Sequence, residues 1–349
     1  MITVEDNDFE IVLLGRKLKG SLPIKERSYK VKRFNLWFNK GPLFYANLNI
    51  RLFFYLLFHK SDWLLANDLD TLPANYYAKR FSKKRKLVYD THEIFCEVPE
   101  LQDNPKKKKI WLRFEKRIFP KLKKVYTVNN SIANYYFEKY TVKPLVVRNI
   151  SESTSIQQRT RVELSLPENK FIVIIQGSGI NLNRGNEEVV KAFELLNNDF
   201  LLLVIGSGDV IPTLKNTVEE KHLQDKIWFK PRMSYHEMMQ FTMNSNLGIS
   251  MDKDTNLNYK FSLPNKLFDF MHAGIPVLAS NLPEISSIVN QYETGIILNT
   301  HEPIVIANEI KNLKENSGLQ QKFKENCKKA SEILNWENEK KVLEEIYLQ

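Results

Sequence analysis

Apolar strands alternate with helical segments along this chain, which predicts an α/β protein built from two doubly wound domains. Three observations carry that prediction. Phe171-Ile172-Val173-Ile174-Ile175 and Leu201-Leu202-Leu203-Val204-Ile205 are continuous apolar runs suited to the middle of a parallel sheet. Each runs on to a glycine, Gly177 or Gly206, where strand gives way to loop. With 349 residues, 43% of them hydrophobic and 26% charged, the chain can bury two cores.

Phe9 to Gly15 reads as a buried strand, unusually close to the start. An open parallel sheet normally places a strand, a glycine loop and a helix ahead of this point, so that unit is expected to be missing. Leu52 to Phe58 reads as a buried helix, with a membrane-dipping helix as the alternative; it is too short to span a bilayer. Trp63-Leu64-Leu65-Ala66 is a strand ending at Asn67-Asp68-Leu69-Asp70, where the two acids suit a polar edge or a helix cap better than a metal. Lys86 to Glu93 is a strand that carries His92 at its carboxyl end, where open sheets place their sites. A helix around Trp111 to Phe119, a strand at Val125 to Val128 and Val146 to Asn149 complete a first domain, 1–150. Residues 151–169, polar and without periodicity until Leu164, read as a linker.

The second domain, 170–335, begins with the strand at Phe171, followed by Gln176-Gly177-Ser178-Gly179 and by Asn183-Arg184-Gly185 ahead of a helix. Further strands are predicted at Leu201, Ile227, Leu247, Val277 and Gly295. Trp336 to Tyr347 is an amphipathic helix. Asn256 to Ser280, NLNYKFSLPNKLFDFMHAGIPVLAS, is a loop, a helix and a strand in succession. Ser262 or Asn265 can cap that helix, whose first-turn N–H groups would form an anion site. Lys266 in that turn opposes the dipole unless an anion lies between them, and Asp269 is one turn further along, within reach of ribose hydroxyls beyond that anion. Diphosphate followed by ribose describes a nucleotide.

The net charge of +10 is concentrated in the first half, in runs such as Lys83 to Lys86 and Lys106 to Lys109. Anionic lipid, an acidic substrate or nucleic acid fits such runs, as does a merely solvated face. No nucleic-acid module is recognisable. Cys96 and Cys327 form no disulfide framework, no Cys/His spacing suits zinc, and no signal peptide or spanning segment is read. A reducing, cytoplasmic location follows as an expectation, peripheral to a membrane if the basic face meets lipid.

Ser262, Pro264, Lys266, Asp269 and Gly274-Ile275-Pro276-Val277 resemble the donor-binding motif of retaining glycosyltransferases of the GT-B fold, in particular family 4. The resemblance implies two Rossmann-like domains facing a cleft, the final helix returning to the first domain, and metal-independent transfer of a sugar from a nucleoside diphosphate, a UDP-sugar being favoured. It implies no cofactor, a saccharide or lipid-linked acceptor such as a surface-polysaccharide precursor, and no nucleic-acid partner. By that likeness Arg184 and Lys266 would hold the diphosphate, and His92 would face donor sugar or acceptor. Gly177, Ser178, Gly179, Ser262, Leu263, Pro264 and Asn265 would line the donor, Asp269 would hold the ribose, and Arg232 would neighbour the base. The sequence departs from the family at Phe261, which stands where a first acid is usual, and at Ser178, where a base is usual. Two alternatives are a homologue that binds nucleotide or lipid without catalysis, and a nucleotide-sugar epimerase of the same fold.

Overall fold

The computed structural model describes residues 9–152 and 156–348; the opening residues 1–8, in which no signal peptide is read, lie outside the described residues. Its contacts divide the chain into two units, Met1–Arg148 with Lys340–Gln349, and Asn149–Glu339.

The first unit contains β1 (Val12–Lys17) and β2 (Lys30–Asn35), a parallel pair, and a four-stranded parallel sheet of β3 (Trp63–Asn67), β4 (Lys86–Thr91), β5 (Lys124–Thr127) and β6 (Leu145–Val146) in that order. β2 was not legible because its sequence, KVKRFN, alternates lysine and arginine with only two apolar residues. The apolar run at Leu52 belongs to a longer helix, Gly41–Phe58, whose N1/N2 proline suits a helix start. That helix is buried on one side only, through Leu48, Leu52 and Leu56, while Phe54 and Phe58 are exposed; this corrects the expectation of a buried segment. At the carboxyl end of the chain, the Tyr347 ring lies against Phe9 and Trp63, so the last turn of the Trp336–Leu348 helix is held by first-unit aromatics.

The second unit is organised on six parallel strands: β7 (Phe171–Gly177), β8 (Phe200–Gly206), β9 (Ile227–Lys230), β10 (Leu247–Ser250), β11 (Val277–Ser280) and β12 (Gly295–Leu298). Their order, β12-β11-β10-β7-β8-β9, reverses direction between β7 and β10. β7 and β8 are buried almost throughout because both sheet faces are covered, which is why they are apolar without alternation. The segment read as a linker groups with this unit: Leu164 and Leu166 are in its core, and Arg161 donates to the carbonyls of Glu168, Lys170 and Asn244.

Candidate active site

In a doubly wound sheet the crevice at the carboxyl ends of the strands flanking the reversal is where ligands bind. Here those strands are β7 and β10, and the chain leaves them at Gly177 and at Met251-Asp252. The loop after β7 returns at Gly185, whose φ is 68° and whose added Cβ would lie 2.2 Å from the Met251 carbonyl oxygen. Only glycine permits that approach. It presses the start of the Asn186–Glu194 helix onto the end of β10, and Lys253 N donates to Asn183 O at 3.0 Å across the same junction.

This closeness brings Arg184 to Asp252. An Arg184 terminal nitrogen donates to Asp252 Oδ2 at 2.9 Å, and the guanidinium lies 4.3 Å from the centroid of the Tyr259 ring. Ser262 Oγ donates to the same Asp252 oxygen at 3.4 Å. Asp252 is fully buried, yet its Oδ1 has no hydrogen-bond partner, and neither does the buried Arg184 Nε. Lys266 stands close enough to both to feel them: burial lowers its pKa, Asp252 opposes that shift and Arg184 adds to it. Two basic side chains share one carboxylate, and a guanidinium N–H is unsatisfied. An anion with several oxygens meets both demands.

The Lys266–His272 helix begins differently from the sequence expectation. Asn265 has helical dihedrals and makes no side-chain cap, because it continues the turn rather than reversing it, and Ser262 is engaged with Asp252 instead. Leu263 packs on the core, while Pro264 O accepts from Leu267 N at 3.0 Å. Asp269 is buried in a separate network, accepting from Ser151 Oγ at 3.0 Å and Tyr235 Oη at 3.1 Å on Oδ1, and from Gln176 Nε2 at 3.4 Å on Oδ2. Desolvation raises its pKa and those donors lower it. Gln176 is itself fixed by Thr242 Oγ1, which donates to Gln176 Oε1 at 2.7 Å. Ser178 and Gly179 are exposed in the loop after β7, and Arg232 is exposed between β9 and the Tyr235–Met243 helix. None of these three has a side-chain contact to the Arg184 group among the described residues.

Asp252, Tyr259, Tyr235, Gln176 and Ser151 are the residues that sequence reading missed. Asp252 had a legible signal, since it follows the buried strand β10 at the carboxyl edge. The others meet the site only through tertiary contacts.

In the first unit the carboxyl ends of β3 and β4 lie side by side, Asn67 opposite Asp90. Asp68 has φ 59°, accepts from His92 N at 3.3 Å, and donates its own N–H to Asp90 O at 2.8 Å. The half-exposed His92 ring sits with Nε2 3.2 Å from Asp90 Oδ2. Burial raises all four neighbouring carboxyls: Asp68 in direction, Asp70 and Asp90 to about 6, and Glu93 to about 7 with further contributions from Asp68 and Glu100. The folded chain therefore binds more protons here than the unfolded chain between the ordinary carboxylate range and pH 7, so stability falls as pH rises through that window. Glu93→Gln is expected to remove roughly 1–2 kcal/mol of that loss of stability across the window, read from denaturant melts between acidic and neutral pH. A variant whose pH slope matches the parent would show that Glu93 titrates normally. Among the described residues, no group of three or more His, Cys, Asp and Glu side chains is arranged to hold a metal ion.

The fold is thus an α/β unit on a six-stranded doubly wound sheet with a basic, incompletely paired cluster at its reversal. The chain belongs to the group 1 glycosyl transferases, whose family model matches residues 156–330, and its fold is that of the GT-B glycosyltransferases. Chitobiosyldiphosphodolichol beta-mannosyltransferase of Candida albicans is 22% identical over 265 residues, which is 69% of this chain and 57% of that protein. The chain thus spans little more than half the length of that relative. Sucrose-phosphate synthase of Thermosynechococcus elongatus superposes with a TM-score of 0.79 at 17% identity, covering 99% of this chain and 90% of that one. Anabaena HepE in complex with UDP gives a TM-score of 0.73 at 15% identity, covering 97% and 99%, and HepE has also been crystallised with UDP-glucose.

Proposed function

We propose that this group 1 glycosyltransferase moves a sugar from a nucleoside diphosphate to a glycan acceptor, with the anomeric configuration retained and without a metal. The observation that carries the reading is the unpaired Arg184 Nε beside Lys266, at the reversal of a doubly wound sheet. In the transfer, the bond from the anomeric carbon to the diphosphate oxygen breaks and a bond from that carbon to the acceptor oxygen forms. The acceptor proton passes to the departing diphosphate. Negative charge on that diphosphate grows toward the transition state, so Arg184 and Lys266 stabilise it more there than in the bound donor. Asp269, oriented by Ser151, Tyr235 and Gln176, holds the ribose, and Arg232 lies beside the base. His92, held by Asp90, is assigned to the donor sugar or the attacking hydroxyl by the family resemblance alone. HepE with UDP and UDP-glucose supports a UDP-sugar donor, and the dolichol-linked substrate in the name of the Candida relative supports a lipid-linked acceptor.

The test is thermal stabilisation by UDP, GDP and ADP on the parent and on Asp269→Asn, which keeps the side-chain shape. A ligand at a hundred times its Kd adds about 2.7 kcal/mol. One nucleotide is expected to raise the Tm, with the effect weakened in the variant. No shift with any nucleotide would refute the donor site. The anomer formed with the matching donor, read by NMR, then decides retention; a product of inverted configuration would require a base and would move attention to His92 and Glu93.

A further inference from the structure

We propose that the Gly41–Phe58 helix, with Trp37 and Phe81 beside it, is a docking surface for an anionic phospholipid bilayer, which it enters in the plane of the interface. The helix is apolar apart from its tyrosines, Asn47, Asn49 and Arg51. Its inner face is buried, but Ile50, Phe54 and Phe58, spaced by four residues, are 55%, 50% and 75% exposed. The Phe54 and Phe58 rings stack, Phe54 meets Phe53, and Phe53 lies 5.8 Å from Phe81, which is 69% exposed. At the other end of the patch Trp37 is 79% exposed, with the Arg51 guanidinium 5.0 Å from its ring centroid. An amphipathic helix needs water on its outer face; an apolar one with a free face needs a partner.

Charge identifies that partner. Between Glu26 and Asp62 the chain has seven basic residues and no acid, and between Asp70 and Asp90 it has six and no acid. Arg80, Lys83 and Lys84 are exposed immediately around Phe81, and Lys60 follows Phe58. Aromatic side chains rimmed by lysine and arginine suit the headgroup region of an anionic leaflet, where the rings enter the acyl boundary and the cations meet phosphate. No helix among the described residues is long and apolar enough to cross a membrane, so the surface lies on a bilayer rather than through it. The proposal does not depend on sugar transfer.

The experiment is flotation of the full chain with phosphatidylcholine vesicles, with and without phosphatidylglycerol. Binding is expected to be at least about tenfold stronger to the anionic vesicles. Phe54→Ser with Phe58→Ser is expected to lower partitioning about tenfold, because two exposed rings no longer insert. The melting temperature of that double variant should be nearly unchanged, since neither ring is in the core. Trp37 fluorescence should shift to the blue on anionic vesicles and be quenched by lipids brominated in the acyl chain, a component absent in Trp37→Phe. Equal binding to both vesicles, no binding, or full binding by the Phe54→Ser/Phe58→Ser variant would overturn the proposal. So would a dimer seen by light scattering that Phe58→Ser disperses, which would make the patch a contact between two copies.

Discussion

Arg184→Ala is expected to lower turnover at least tenfold, more than about 1.4 kcal/mol of transition-state stabilisation, and to lower the melting temperature as well, because the buried Asp252 loses its ion-pair partner. The guanidinium is partly exposed and packs on Tyr259, so its removal empties the mouth of the site rather than the core. The cost to turnover is chemical. Asp252 then has lost one of its two cationic neighbours, and the departing diphosphate has only Lys266. Lys266→Ala should have a comparable effect, and the double variant less than the product of the two, because both groups act on the same departing charge. Asp252→Asn should leave the chain folded and act through Arg184, raising KM or lowering kcat by loss of orientation. Initial rates with the donor selected by thermal stabilisation provide the measurement. Unchanged kinetics in Arg184→Ala would remove Arg184 from the site.

Gly185→Ala is expected to have the largest effect on stability. The φ of 68° is left-handed, which costs a side-chain-bearing residue about 1–2 kcal/mol. The new Cβ would also stand 2.2 Å from Met251 O and 2.7 Å from Met251 Cβ, both in the chain leaving a central strand. Overpacking of that kind adds about 1–3 kcal/mol. A total of about 3 kcal/mol corresponds to a fall in Tm of roughly 6–12 °C for a unit of this size. Relief of the overlap moves Arg184 away from Asp252, so activity should fall even below the melting transition. Gly179→Ala is the control: open space surrounds its Cβ, and its stability should stay within about 0.5 kcal/mol of the parent. A Gly185→Ala protein as stable as the parent would show that the loop after β7 is free to move.

The strands of the second sheet were legible because burial on both faces demands unbroken apolar runs, and the strand predicted at Leu247 is β10. The cations were legible as well, since Arg184 follows a strand-to-glycine turn and Lys266 follows Ser-Leu-Pro-Asn. Two local readings gave way. A helix cap at Asn265 yielded to its helical dihedrals, and the buried helix at Leu52 proved to be half of a longer helix with an exposed aromatic face. In both cases the local pattern was correct as to type, but the environment of the side chain was set elsewhere in the chain.

The sequence by itself determined the α/β class, the strand-to-glycine turns and the positions of the basic residues proposed to meet a diphosphate, because periodicity, glycine and charge are properties of short stretches. Only the tertiary structure decided that Asp252, 68 residues from Arg184, is its partner, and that Ser151, 118 residues from Asp269, orients that carboxylate. It also decided that Gly185 must be glycine, since the Met251 carbonyl that excludes a side chain belongs to a distant strand end. The physical reason is that hydrogen bonds and steric overlap act between surfaces brought together by sheet order, and strand order between β7 and β10 is not written in either strand.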